Sequence, residues 1–319
     1  MNHTVFGVAI TLFASVATAV DLQGHRGARG LAPENTLPAF ARALALGVDT
    51  LELDTGVTRD GVVVIHHDPA LNPEIARDRD GRWLDGKGPA IRALTFAELQ
   101  QYDVGRLKPG TNYARRLPDQ QAVDGARIPR LADLFAMVRE KGDQRVLFNI
   151  EIKSDPKFPD ETLAPEPFAQ ALVAEVRKAG MGARTTIQSF DWRALQAAQR
   201  IAPEIPTVYL SAQQAWLDNI AAAGPEGSRW TAGFQLGEHG SVPAMVKAAG
   251  GAVWSPYYGD LDAARMRLAK ALGLKVVVWT VNDAEAAGRM LDLGVDGIIS
   301  DRPDLMKKLV EQRKRRKLP

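Results

Sequence analysis

The sequence predicts an α/β protein, a TIM (β/α)8 barrel with an inserted subdomain after the second strand. Three observations predict it. Short apolar, β-rich runs alternate with segments of helical period. Eight such runs fall between residues 20 and 300, a length that suits one closed barrel. No nucleotide-binding fingerprint follows the first run: GHRGARG lacks the G-x-G-x-x-G spacing and no P-loop pattern occurs, which argues against an open doubly wound sheet.

The candidate strands are 20–24 (VDLQG), 50–54 (TLELD), 146–151 (VLFNIE), 184–188 (RTTIQ), 206–210 (PTVYL), 252–255 (AVWS), 275–279 (KVVVW) and 297–300 (GIIS). A weaker run at 231–235 (TAGFQ) reads as irregular. Helices lie between them. Residues 36–46 place Leu37, Phe40, Ala41 and Leu44 on one stripe, with Thr36 as cap, Pro38 in the first turn and Gly47 as stop. Residues 191–201, 260–272 and 283–293 behave similarly, with Asp191 and Asp283 as N-caps and Gly273 and Gly294 as stops. The regular spacing fails over residues 68–130, which are rich in Gly, Pro and charge; only 95–102 reads as helical. An insert at about 72–128, emerging at the catalytic face, accounts for the gap and is expected to set substrate choice.

The 319 residues carry a net charge of +2, which argues neither for nor against nucleic acid. The run RKRRK at 313–317 supplies +5 of it, so the rest carries −3 (+2 less +5). The segment 311–319 is expected to be a frayed basic tail, with weak contact to anionic lipid head groups as the sharper reading. No cysteine is present, which excludes disulfides and thiolate chemistry. Residues 4–19 are uncharged, apolar or small, and end in Ala17-Thr18-Ala19. This predicts a signal peptide over 1–19, export to the periplasm or medium, and a mature domain over 20–310; an uncleaved anchor is the rival. Oligomeric state is not legible.

Glu52 and Asp54 alternate on one strand, so both face one side near its end. The competing reading is a solvated edge strand, but the flanking residues are apolar. Glu151 and Lys153 repeat the pattern at the end of another strand, bringing a third carboxylate and a cation to the same mouth. Three carboxylates suit a hard divalent cation such as Ca2+ or Mg2+, and zinc less well. In GHRG the glycines permit close backbone approach to a ligand, Arg26 can grip a phosphate, and His25 titrates near neutrality. The run VVVIHHD reads as a strand returning beside the second barrel strand after a turn at Thr58–Gly61. Its two histidines point opposite ways, so only one of His66 and His67 reaches the mouth. With His25 it would make an acid–base pair.

These motifs resemble the glycerophosphodiester phosphodiesterase family. GHRG with APENT (24–36), ELDTGVTRDGVVVIHHDPAL (52–71), NIEIK (149–153), QSFDWRAL (188–195), VVVWTVN (276–282) and GVDGIISDRPD (294–304) occur in the family's order. The resemblance implies a phosphodiesterase taking a small glycerophosphodiester. It implies that Glu52, Asp54 and Glu151 hold the metal, and that His25 and His67 exchange protons. It places Arg26 and Lys153 on the phosphate, Glu34 close to the site in the substrate-binding set, with contact to the metal and orientation of Arg or His both open, and Trp279 as an apolar wall for glycerol. Thr55 stands where the family often has Val and should point away from the metal. Two alternatives follow: a lysophospholipase D or sphingomyelinase D type enzyme, which the polar insert disfavours, and a non-catalytic glycerophosphodiester-binding protein, which the complete ligand set disfavours.

Overall fold

The computed structural model describes residues 20–220 and 227–316. The predicted leader at 1–19 and the last three residues of the predicted tail lie outside the described residues. Among the described residues no helix is long and apolar enough to cross a membrane.

The barrel strands are β1 (Asp21–Gly24), β2 (Thr50–Val57), β4 (Leu147–Ile152), β5 (Thr185–Ser189), β6 (Thr207–Ser211), β9 (Val253–Pro256), β10 (Lys275–Val278) and β11 (Gly297–Ser300). All eight predicted strands are present within a residue or two, except that β2 runs three residues further. They pair in parallel, and β1 pairs with both β11 and β2, which closes the sheet. The strand β3 (Val63–Ile65) returns antiparallel to β2, as the turn at Thr58–Gly61 predicts. A hairpin of β7 (Gln213–Gln214) and β8 (Leu217–Asp218) stands apart from the barrel. Residues 231–235 form no strand.

Helices cover the barrel: α1 (Leu37–Leu46), α4 (Leu131–Glu140), α5 (Pro165–Lys178), α6 (Trp192–Ile201), α8 (Val242–Ala248), α9 (Ala263–Ala271), α10 (Ala284–Leu293) and α11 (Pro303–Arg316). Thr36 caps α1 by accepting from the Ala39 N–H, and Gly47 ends it at φ 71°, a left-handed conformation that glycine adopts without penalty. Leu51 and Leu53 face outward into the layer that holds Phe40, Phe135 and Phe148. That sends Glu52 and Asp54 inward.

The insert differs from expectation. The predicted helix over 95–102 shortens to α2 (Phe96–Leu99), and α3 (Asn112–Arg116) was not legible. A third short helix, α7 (Leu236–His239), precedes α8. The insert packs on a small core of its own, with Leu71, Ala76, Ile91, Leu99, Val104 and Ile128 around Val64 of β3. Residues 313–316 of the basic run belong to α11, which continues to Arg316.

The barrel interior divides into two halves. Gln23, Asn149 and Gln188 make a buried amide relay on the β1, β4 and β5 side, and Asn149 Nδ2 donates to both neighbours at 2.9 Å. Val208, Val253, Val277 and Ile299 fill the β6 and β9–β11 side, with Trp279 packed above them. In α11, Lys307 Nζ donates to the Leu46 carbonyl at the end of α1, and Arg313 pairs with Asp292 at the end of α10. The helix therefore ends on the face where the strands begin, opposite the mouth.

Candidate active site

A cavity of about 430 Å³ opens at the C-terminal ends of the strands. It is lined by His25, Arg26, Glu52, Asp54, His67, Glu151, Lys153 and Trp279, among others. Parallel pairing sets Asp54 directly beside Glu151. One oxygen from each of Glu52, Asp54 and Glu151 lies within 4.8 Å of the others, and all three residues are buried.

Burial of three carboxylates is costly without positive charge. The cost shows in their proton affinities. Glu52 is held well above the ordinary carboxylate range, by burial first and by Asp54 next. Glu151 is pushed up to about 8, again by burial first, with Asp54 adding repulsion and Lys153 opposing it. Asp54 goes the other way: burial works against it, but Arg26, His67 and Lys153 hold it well below the ordinary range. Lys153 Nζ is 3.1 Å from Glu151, and Arg26 Nε is 3.2 Å from Asp54. An oxygen-rich cluster in which burial first and repulsion next favour protons on Glu52 and Glu151, while Asp54 stays ionised, fits a dication, which would release those protons.

The stability consequence has a definite sign. The Glu151 carboxyl binds its proton more tightly folded than unfolded, so the metal-free protein gains stability from it below the ordinary value of 4.5 and loses that gain as pH rises through about 8. A cation must displace the proton. Affinity for a divalent cation at this cluster should therefore rise with pH below about 8, more steeply than one proton requires because Glu52 must give up a proton as well. Calorimetric titration across that range checks this, and a pH-independent affinity would contradict it.

Each histidine is braced by a carboxylate. Asp301 Oδ1 lies 2.5 Å from His25 Nδ1, and Asp68 Oδ1 lies 2.6 Å from His67 Nδ1. His25 Nε2 sits 3.9 Å from Glu52, and His67 Nε2 sits 3.1 Å from Lys153 Nζ. The second nitrogen of each ring is thus turned toward the acidic and cationic groups. Burial, with Arg29, lowers His25 to about 4; burial, with Arg26 and Lys153, lowers His67. His66 is buried outside the cavity, and its backbone N–H donates to the Asp54 carbonyl. Alternation along the strand end explains the split.

Glu34 does not line the cavity. It lies behind Arg26, 2.6 Å from Nη1, and Tyr113 of the insert donates to its other oxygen. Arg29 Nη1 donates to the same tyrosine hydroxyl at 3.2 Å. Among the described residues, nothing between 72 and 128 lines the cavity; the insert reaches the site from behind, through Tyr113. Loops after β4, β5 and β6 supply the remaining wall, including Asp155, Phe190 and Trp216. Thr55 points away as alternation requires, and its hydroxyl donates to the Glu151 carbonyl. The glycines of GHRG serve packing more than ligand approach. A Cβ on Gly24 would stand 2.1 Å from the Gly27 carbonyl oxygen, and one on Gly27 2.7 Å from Ala39 of α1.

The model of the glycerophosphoryl diester phosphodiesterase family matches residues 25–305. The chain belongs to that family. Membership and the closed barrel agree, and the enzyme class is phosphoric diester hydrolase. A glycerophosphodiester phosphodiesterase of Caldanaerobacter subterraneus is 29% identical over 290 residues, covering 90% of this chain and 96% of the relative. A solved Silicibacter pomeroyi structure, provisionally named a glycerophosphoryl diester phosphodiesterase, is 38% identical with a TM-score of 0.82, covering 93% of this chain and 94% of the other. An Oleispira antarctica phosphodiesterase, solved with its product sn-glycerol-3-phosphate, is 24% identical with a TM-score of 0.66 over 91% of this chain and 96% of the other; at that identity it speaks to the fold. In a glycerophosphodiester phosphodiesterase of this kind, Asp301, Asp68 and Tyr113 are the functional candidates that motif spacing missed. Asp68 and Asp301 stand inside the HHD and SDRPD motifs, which was their one available signal.

Proposed function

We propose that the chain is an exported, divalent-metal-dependent enzyme that hydrolyses glycerophosphodiesters to glycerol 3-phosphate and an alcohol. The observation that carries the reading is the convergence of Glu52, Asp54 and Glu151 on one cavity with two carboxylate-braced histidines. The product bound by the Oleispira relative is of the same chemistry. Export rests on the leader-like residues 4–19 alone, and fractionation of cells expressing the full chain tests it.

Glu52, Asp54 and Glu151 would hold the cation. When bound there, Ca2+ or Mg2+ supplies positive charge that offsets the negative charge building on the phosphoryl oxygens. Arg26 and Lys153 add fixed positive charge at the same cavity. The substrate brings its own nucleophile, the glycerol hydroxyl next to the esterified carbon, so attack is intramolecular. One histidine takes that hydroxyl's proton while the new P–O bond forms. The other gives a proton to the alcohol as its P–O bond breaks. The cyclic phosphate then adds water with the two roles exchanged. Asp301 and Asp68 hold each ring with Nε2 inward. Trp279, fixed by donation from its Nε1 to the Ser255 carbonyl at 3.0 Å, offers the apolar wall for glycerol.

A panel of glycerophosphodiesters assayed for glycerol 3-phosphate, with and without chelator, tests the reading. Turnover should vanish with chelator and return with Ca2+ or Mg2+. Turnover undiminished by chelator would overturn the metal assignment, and a panel without any turnover would overturn the substrate class.

A further inference from the structure

Among the described residues the insert supplies nothing to the cavity wall, yet it grips the loop that carries Arg26. The Gln121 N–H donates to the Leu31 carbonyl at 3.0 Å, and Gln120 Nε2 donates to the Arg29 carbonyl at 2.7 Å. Asp119 pairs with Arg302, and the Arg302 side chain lies against the loop at Gly30, where a Cβ would stand 2.5 Å from its Cδ. Tyr113 of α3 reaches deepest. Thr111 caps that helix by accepting from the Ala114 N–H, which fixes the turn that carries the tyrosine.

A phenol hydroxyl has one proton to give and two lone pairs to offer. Tyr113 uses all three. It donates to Glu34 and accepts from Arg29 Nη1 at 3.2 Å and, at the outer limit, from Arg26 Nη1 at 3.5 Å. Arg29 is itself fixed, since its Nε and Nη2 donate to the two oxygens of Asp301 at 2.6 and 3.2 Å. Desolvation, with Glu34 adding to it, keeps the phenol proton in place far above its ordinary range.

Arg26 is anchored at its root by the barrel. Its backbone takes a φ of 50°, a left-handed conformation that costs a side-chain-bearing residue energy. Its N–H donates to Glu52 at 2.8 Å, and its carbonyl accepts from the Asn35 N–H at 3.0 Å. A long side chain on a fixed root still has several rotamers. The far end is set by Glu34, which takes Nη1 on one oxygen and Tyr113 on the other. The Nη2 edge donates to no protein group among the described residues, and Arg26 lines the cavity.

We propose that Tyr113 is a positioning residue: it locks the Glu34 carboxylate, which holds one edge of the Arg26 guanidinium so that the other edge meets the substrate's phosphate. The insert then governs the rate for every diester instead of the choice among them, because the phosphoryl group is common to all. The inference rests on the proposed phosphodiesterase reading and deepens it.

Tyr113→Phe removes the hydroxyl and keeps the ring against Arg29. It should lower kcat/KM about tenfold to a hundredfold, the scale on which a misplaced group is felt, and by one common factor for glycerophosphocholine, glycerophosphoethanolamine and glycerophosphoglycerol. Its melting temperature should hold. Affinity for glycerol 3-phosphate, measured by calorimetry with Ca2+ or Mg2+ supplied, should fall about tenfold, the scale of one hydrogen bond to a charged group. Arg26→Lys keeps the charge but has no fork to be aligned. Adding Tyr113→Phe to Arg26→Lys should therefore cost little further affinity, and this cycle needs no turnover to be read. Additive losses in the cycle overturn the proposal, because they mark a role that does not pass through Arg26. Wild-type kcat/KM in Tyr113→Phe overturns it as well, as does a loss that only follows the unfolded fraction. A loss confined to one diester also overturns it and returns substrate choice to the insert. In each of these cases an active wild type leaves the phosphodiesterase reading standing. A wild type that turns over no diester and binds no glycerol 3-phosphate sinks that reading and this inference with it.

Discussion

Glu52→Gln should lower kcat/KM by on the order of a thousandfold or more, the scale on which loss of charge stabilisation at a reacting centre is felt, and should weaken Ca2+ or Mg2+ binding. It should leave the barrel folded. The native carboxylate accepts from Gln188 Nε2 at 2.6 Å and from the Arg26 backbone N–H at 2.8 Å. A glutamine carbonyl keeps one of these bonds, and the neutral amide replaces a carboxyl whose ionisation burial and Asp54 already disfavour. The metal-free variant should melt no lower than metal-free wild type by more than a few degrees. Assays of turnover, calorimetric metal titration and thermal melts, run together, separate a lost cation site from a lost fold. Wild-type turnover in a folded Glu52→Gln variant would remove the metal assignment.

His67→Ala should cost about 10²–10⁴ in kcat, the usual worth of a positioned proton-transfer group. His66→Ala should do something different. His66 is buried outside the cavity, and its loss leaves a hole beside β2, so the expected damage is about 1–3 kcal/mol of stability with a near-wild-type rate in the folded fraction. Denaturant melts and steady-state rates on both variants check the distinction. Equal rate losses would mean that the neighbouring side chains share one role.

Much of this was legible because it follows local rules. Period-two alternation puts Glu52 and Asp54 together and splits His66 from His67, and both results survive folding. Strand positions follow from β-rich runs bounded by helix caps. The remainder depends on distant pairing. Asp301 braces His25 across 276 positions, and no local period encodes that contact. Tyr113 lies in a five-residue helix too short to show a stripe, within an insert that has no regular period. The amide relay of Gln23, Asn149 and Gln188 reads in sequence as three ordinary polar residues on three strands. Trp216 looks like any loop aromatic until Tyr257 and Trp279 are seen around it.

The helix α11 ends beside the C-termini of α1 and α10, and β1 begins on the same side at Asp21. Both ends of the described chain thus leave from the floor of the molecule. Coupling the enzyme to a resin through either of them would leave the reaction chamber facing the flowing liquid, with access for incoming diesters and exit for the released alcohol unobstructed by the support.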